Sequence, residues 1–64
     1  MTPKEIKAAE SLLQSYQRHT DRRGMIEYYT GKINGLTEFL TDCGCTVTQD
    51  AAGIYMVIGN ENHS

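Results

Sequence analysis

Long apolar runs are missing. No stretch of about 18 apolar residues occurs, so a membrane-spanning helix is not expected. No apolar leader is expected either. The opening Met1-Thr2-Pro3-Lys4-Glu5 has nothing like the core of a signal peptide, and a cytoplasmic location is expected. Tryptophan is absent, proline occurs once and cysteine twice. Two cysteines, Cys43 and Cys45, are too few for the disulfide framework that holds small secreted domains together. The second half of the chain also lacks positive charge. Residues 1–32 carry all six Lys and Arg against four acids, a net of +2, whereas residues 33–64 carry four acids alone, a net of −4. Such polarity can steer a partner or orient one subunit on another.

What is present is short: 64 residues, 39% hydrophobic, with four Tyr and one Phe. One small domain over residues 1–58 is expected, followed by a flexible tail over 59–64. Domains of roughly 60 residues bury only about 60% of the surface their unfolded chains expose. They commonly gain stability from disulfides, a metal or another chain.

The local signals describe two helices and a β-hairpin. Thr2 is placed to cap a helix, with Pro3 in the first helical position and Glu5 completing a Thr-x-x-Glu capping box. Ile6, Ala9, Leu13 and Tyr16 then fall at helical spacing, with Leu12 widening the stripe. This first helix is predicted over about residues 3–21, ending before Gly24. A second apolar series, Ile26, Tyr29, Ile33, Leu36, Leu40 and Cys43, predicts a helix over about 25–43, with Gly44 as its left-handed stop. The two stripes are one residue out of phase, which favours a helical hairpin bent near residues 21–24 over one straight helix. Residues 45–49 and 54–58 are rich in β-branched side chains. Asp50-Ala51-Ala52-Gly53 between them suits a type I turn with a glycine bulge. The expected fold class is therefore α+β, a two-helix hairpin followed by a C-terminal β-hairpin, completed by oligomerisation. A lone two-stranded hairpin is barely stable in water, so it must lie on these helices or extend a neighbour's sheet.

The second helix has more apolar circumference than one small chain covers easily. At about 100° per residue, Tyr28, Gly31, Gly35 and Phe39 form a stripe distinct from the core series. Each Gly in a helix interior costs about 1 kcal/mol relative to Ala, so two in one helix call for a reason. Three readings are open: a trough that receives another chain, a close approach by the chain's own first helix, or a break in the helix. Exposed apolar patches favour the first.

Other chemistry is sparse. Cys43-Gly44-Cys45, with His19 and His63, could supply zinc ligands, but no second cysteine pair exists. Both cysteines are expected as small buried hydrophobes, with no metal or cofactor. Lys4, Lys7, Arg18 and Arg22 line one side of the first helix over about 27 Å, and Arg23 adds charge near the turn. That stripe suits an acidic protein surface or a phosphate backbone. Thr30-Gly31-Lys32 lacks the first glycine and the preceding strand of a phosphate loop. His19 has no partner at a recognisable catalytic spacing, so no enzymatic activity is expected.

The run Tyr28-Tyr29-Thr30-Gly31-Lys32-Ile33-Asn34-Gly35-Leu36, with Phe39-Leu40 and Cys43-Gly44 after it, resembles short phage and prophage accessory proteins of unknown function. The resemblance implies a mobile-element setting, in which small chains bind and block, or regulate, a larger host protein. It carries no site residues with it. The expected function is a non-enzymatic interaction module, a homo-oligomer (a homodimer as the simplest form) that buries Tyr28, Gly31, Gly35 and Phe39 and engages an unidentified protein target. The alternative is a nucleic-acid-binding regulator using Lys4, Lys7, Arg18, Arg22 and Arg23.

Overall fold

Two short polar motifs open and close the first helix. Thr2 Oγ1 accepts from the Glu5 N–H at 3.2 Å, while the Glu5 carboxylate accepts from the Thr2 N–H at 2.9 Å. Two donors that the helix itself cannot satisfy are thereby paired. In this computed structural model, which describes residues 1–20 and 24–59, helix α1 runs Pro3–His19. At its far end the Thr20 hydroxyl donates to the Tyr16 carbonyl at 2.8 Å, and His19 Nδ1 lies 2.7 Å from the Ser15 carbonyl. Asp21, Arg22 and Arg23, where the bend was expected to begin, lie outside the described residues, as do Asn60–Ser64 of the tail.

Helix α2 runs Ile26–Asp42 without interruption through Gly31 and Gly35. It ends in a Schellman turn. The Cys45 N–H reaches back to the Leu40 carbonyl at 2.9 Å and the Gly44 N–H to Thr41 at 3.0 Å. Gly44 takes φ +90°, a value that suits glycine. The chain then enters β1 (Thr46–Gln49), which pairs antiparallel with β2 (Tyr55–Ile58), Val47 opposite Val57 and Thr48 opposite Met56. In the connecting turn Asp50 Oδ1 accepts from the Ala52 and Ile54 N–H groups, and Gly53 sits at φ +83°. Two helices followed by an antiparallel hairpin make this an α+β chain.

The hairpin packs on its own helices. Ala9 and Leu13 of α1, Ile33 and Leu40 of α2, Cys45 and Val57 form the core, flanked by Ile6, Tyr16, Leu36, Val47 and Tyr55. Leu13 and Leu40 are wholly buried. Polar side chains of α1 also close the outer edge of β2. The Val57 N–H donates to Glu10 at 3.1 Å, Gln14 Nε2 donates to the Tyr55 carbonyl at 3.0 Å, and the Tyr55 N–H donates to Gln17 Oε1 at 3.3 Å. Gln17 Nε2 donates in turn to the Gly53 carbonyl. These three residues stand at i, i+4 and i+7, so one flank of α1 substitutes for a third strand. The other sheet edge belongs to β1, only four residues long, and short edge strands offer little to a pairing neighbour.

Gln17→Ala would strip two hydrogen bonds from this part-buried seam. A destabilisation of about 1–3 kcal/mol is expected, because the part-buried Tyr55 N–H loses its partner, while the Gly53 carbonyl keeps Gln49 Nε2 at 2.8 Å. A urea midpoint equal to the parent's would show the seam to be dispensable.

Two residues assigned to the α2 core stripe lie elsewhere. Cys43 is exposed, since it is the residue at which the helix closes, and the Schellman turn carries the chain inward to bury Cys45 instead. Ile26 is 56% exposed. It is the first residue of α2, and the aromatic contacts that tie the helices end at Tyr29, which stacks on His19 at the last turn of α1. Leu12, expected to widen the α1 stripe, is 43% exposed on its margin.

Candidate interaction surface

The core face of α2 uses Ile33 and Leu40, with Tyr29 and Leu36 half-buried beside them. Roughly a third of a turn away lies the second stripe. Tyr28 and Phe39 are 55% and 56% exposed, and a Cβ placed on Gly31 or Gly35 would meet no atom within 4 Å. The first helix does not enter the trough, and the helix does not break there. Two of the three readings of the glycines are thus removed. An open trough with an aromatic at each end remains.

Tyr28 is held in place. Its ring meets Tyr29 edge-on at 4.9 Å between centroids, and Lys32 Nζ lies 5.1 Å from its centre. The same ammonium lies 5.5 Å from the Tyr16 ring, and Tyr16 and Tyr29 are 5.8 Å apart. A side chain ordered before a partner arrives loses less entropy on binding. Lys32 was not among the expected surface residues. Its spacing of four from Tyr28 on a helix was the signal that placed it over the ring.

The basic residues fall on a different side. Lys4, Lys7 and Arg18 are exposed along α1, while Arg22 and Arg23 lie outside the described residues. Over the described residues the stripe runs about 21 Å along the helix from Lys4 to Arg18, and the part expected to reach Arg22 lies outside them. It borders the hairpin. Arg18 lines a shallow hollow with Gln14, Gln17 and Ile54, and Lys7 lines another with Glu10, Val57 and Gly59. Between them Ile54, just before β2, and Met56 and Ile58 on it stand outward, exposed by 42%, 41% and 54%.

The cysteines are separated in environment. Cys45 is buried with its Sγ 3.7 Å from the Met1 sulfur, and Cys43 faces solvent. Among the described residues no three His, Cys, Asp or Glu side chains gather as a metal site, and His63 lies outside them. His19 is committed to the end of α1 and to the Tyr29 ring. Among the described residues no helix is long and apolar enough to cross a membrane. Comparison with protein-family models, with curated proteins and with solved structures gives no match.

Proposed function

We propose that the chain is a cytoplasmic, non-enzymatic protein–protein interaction module that works as a homo-oligomer. Tyr28, Gly31, Gly35 and Phe39 are the face it buries against another chain. The observation that carries this reading is the openness of the α2 stripe. Two large aromatics stand half-exposed at the ends of a glycine trough that nothing among the described residues fills. Tyrosine is a residue type enriched among binding hot spots, and Tyr28 is already ordered by Tyr29 and Lys32. The resemblance to phage accessory proteins suits this role, with a larger host protein as the second partner.

Light scattering tests the self-association directly. The wild type is expected above the 7.2 kDa chain mass at high micromolar concentration, and Gly35→Leu is expected to return it to monomer. A Cβ at this position meets nothing within 4 Å, and Leu favours helix over Gly, so folding should survive. A wild type that is monomeric under these conditions, with Gly35→Leu indistinguishable from it, would remove the proposal.

A second reading, nucleic-acid binding, is supported by the exposure of Lys4, Lys7 and Arg18 on one helix. Three phosphate contacts would give a salt slope of only about −3. Absence of salt-sensitive retardation of duplex and single-stranded probes would exclude it.

A further inference from the structure

The α2 stripe is too small to hold a partner alone. A stable contact takes about 800 Å² from each side, roughly a sixth of the 4567 Å² this chain exposes. Two half-exposed rings and two glycines fall well short of that. The contact must therefore spread onto the flank of α2, and that flank is acidic, with Glu27, Glu38 and Asp42 exposed beside the glycines. Within α2, Lys32 is the one cation to set against them, and it stands on the opposite side of the stripe, over Tyr28. A second α2 would thus bring acids to acids, and like charges across an interface repel.

The complementary surface is on the same molecule, where α1 meets β2. We infer that the face formed by Ile54, Met56 and Ile58, bordered by Lys7 and Arg18, receives the α2 face of a second copy, so that the copies join head to tail. This rests on the reading of α2 as the buried face and identifies what covers it. The match is in chemistry and in spacing. Outward-facing Ile54, Met56 and Ile58 provide an apolar bed for Tyr28 and Phe39, with Thr46 and Thr48 of β1 beside them. Lys7 and Arg18 are separated by eleven positions on one helix, as are Glu27 and Glu38 on the other. Each pair therefore spans about 16 Å. Arg18 and Ile54 share one hollow at one end of β2, and Lys7 sits with Val57 and Gly59 at the other, so the cations bracket the apolar bed. Two acids border this surface, and both are turned onto backbone: Glu10 accepts from the Val57 N–H, and Asp50 from the Ala52 and Ile54 N–H groups.

A contact between unlike surfaces has a signature that a symmetric contact lacks. Gly35→Leu disables the giving face, and Met56→Glu disables the receiving face at an exposed strand position. Each variant alone should associate about tenfold or more weakly than wild type. Mixed in equal amounts they should form a heterodimer, since one intact face of each kind remains between them. Sedimentation velocity with one partner fluorescently labelled reads this. Should Met56→Glu fail to fold, a charge exchange replaces it, with Lys7→Glu/Arg18→Glu mixed against Glu27→Lys/Glu38→Lys, all solvent-facing helix positions. A wild type that stays monomeric removes the proposed function and this inference together. A wild type that associates, with Met56→Glu or the charge variant associating equally well, or with mixtures that fail to pair, overturns the head-to-tail contact alone.

Discussion

Leu40→Ala is expected to cost about 2–5 kcal/mol, the range for truncating a fully buried leucine. Leu40 is wholly buried, belongs to the core that α2 shares with α1 and the hairpin, and its carbonyl receives the Cys45 N–H at the Schellman turn. A typical stability of 0.05–0.15 kcal/mol per residue gives about 3–10 kcal/mol for a chain of this length. The substitution thus removes a large share of the total, and at the lower end of that range all of it. The same holds for Leu13→Ala, which opens a cavity from the opposite wall. Circular dichroism with urea titration reads the effect. A midpoint within a few tenths molar of the parent for either variant would mean that the core is not where these leucines place it.

Replacing both trough glycines by alanine should act in the opposite direction. Each Gly→Ala change in a helix interior is worth about 1 kcal/mol, and among the described residues nothing lies within 4 Å of either new methyl group. Together they should raise the melting temperature by roughly 8–16 °C, at about 4–8 °C per kcal/mol for a domain of this size. The measurement belongs at low protein concentration, where self-association contributes nothing. Natural chains keep such destabilising residues where function uses them. The double variant should therefore be the more stable monomer and the poorer oligomer. A melting temperature that falls would mean that the trough is filled within the chain.

Both expectations trace back to features of unequal legibility. The ends of the elements were readable, because they depend on local backbone chemistry: Thr2, Pro3 and Glu5 for the start of α1, Gly44 for the end of α2, Asp50 and Gly53 for the hairpin turn. Thr2, Glu5, Gly44, Asp50 and Gly53 pair backbone groups a few residues away, and Pro3 starts a helix through its fixed φ and missing N–H, so short-range spacing carries the information. The second stripe of α2 was readable for a similar reason, since helical phase alone separates Tyr28, Gly31, Gly35 and Phe39 from the core series.

Tertiary contacts were less visible. Cys43 continues the helical period of Leu36 and Leu40, but periodicity does not register that the helix closes one residue earlier, at Asp42. Ile26 also keeps the period, and its burial depended on how far α1 extends beside it. The seam of Glu10, Gln14 and Gln17 went unread because polar residues beside an apolar stripe look like solvated surface until a strand edge is known to lie there. Two amides and a carboxylate at helical spacing were the available signal. The seam also answers a question that spacing left open, whether the hairpin lies on its own helices or reaches for a neighbour's sheet.

Smallness is the thread joining these points. Among the described residues of this 64-residue chain six side chains form the buried core, while Tyr28, Phe39, Ile54, Met56 and Ile58 are among the large apolar side chains left exposed. The most direct test of α2 as a binding face is a dilution series followed by two-dimensional amide NMR, from near-millimolar to low-micromolar concentration. The Gly31 and Gly35 amide signals are expected to shift with dilution, and tumbling to accelerate toward that of a 7.2 kDa particle. Superimposable spectra with 7.2 kDa tumbling throughout would contradict it.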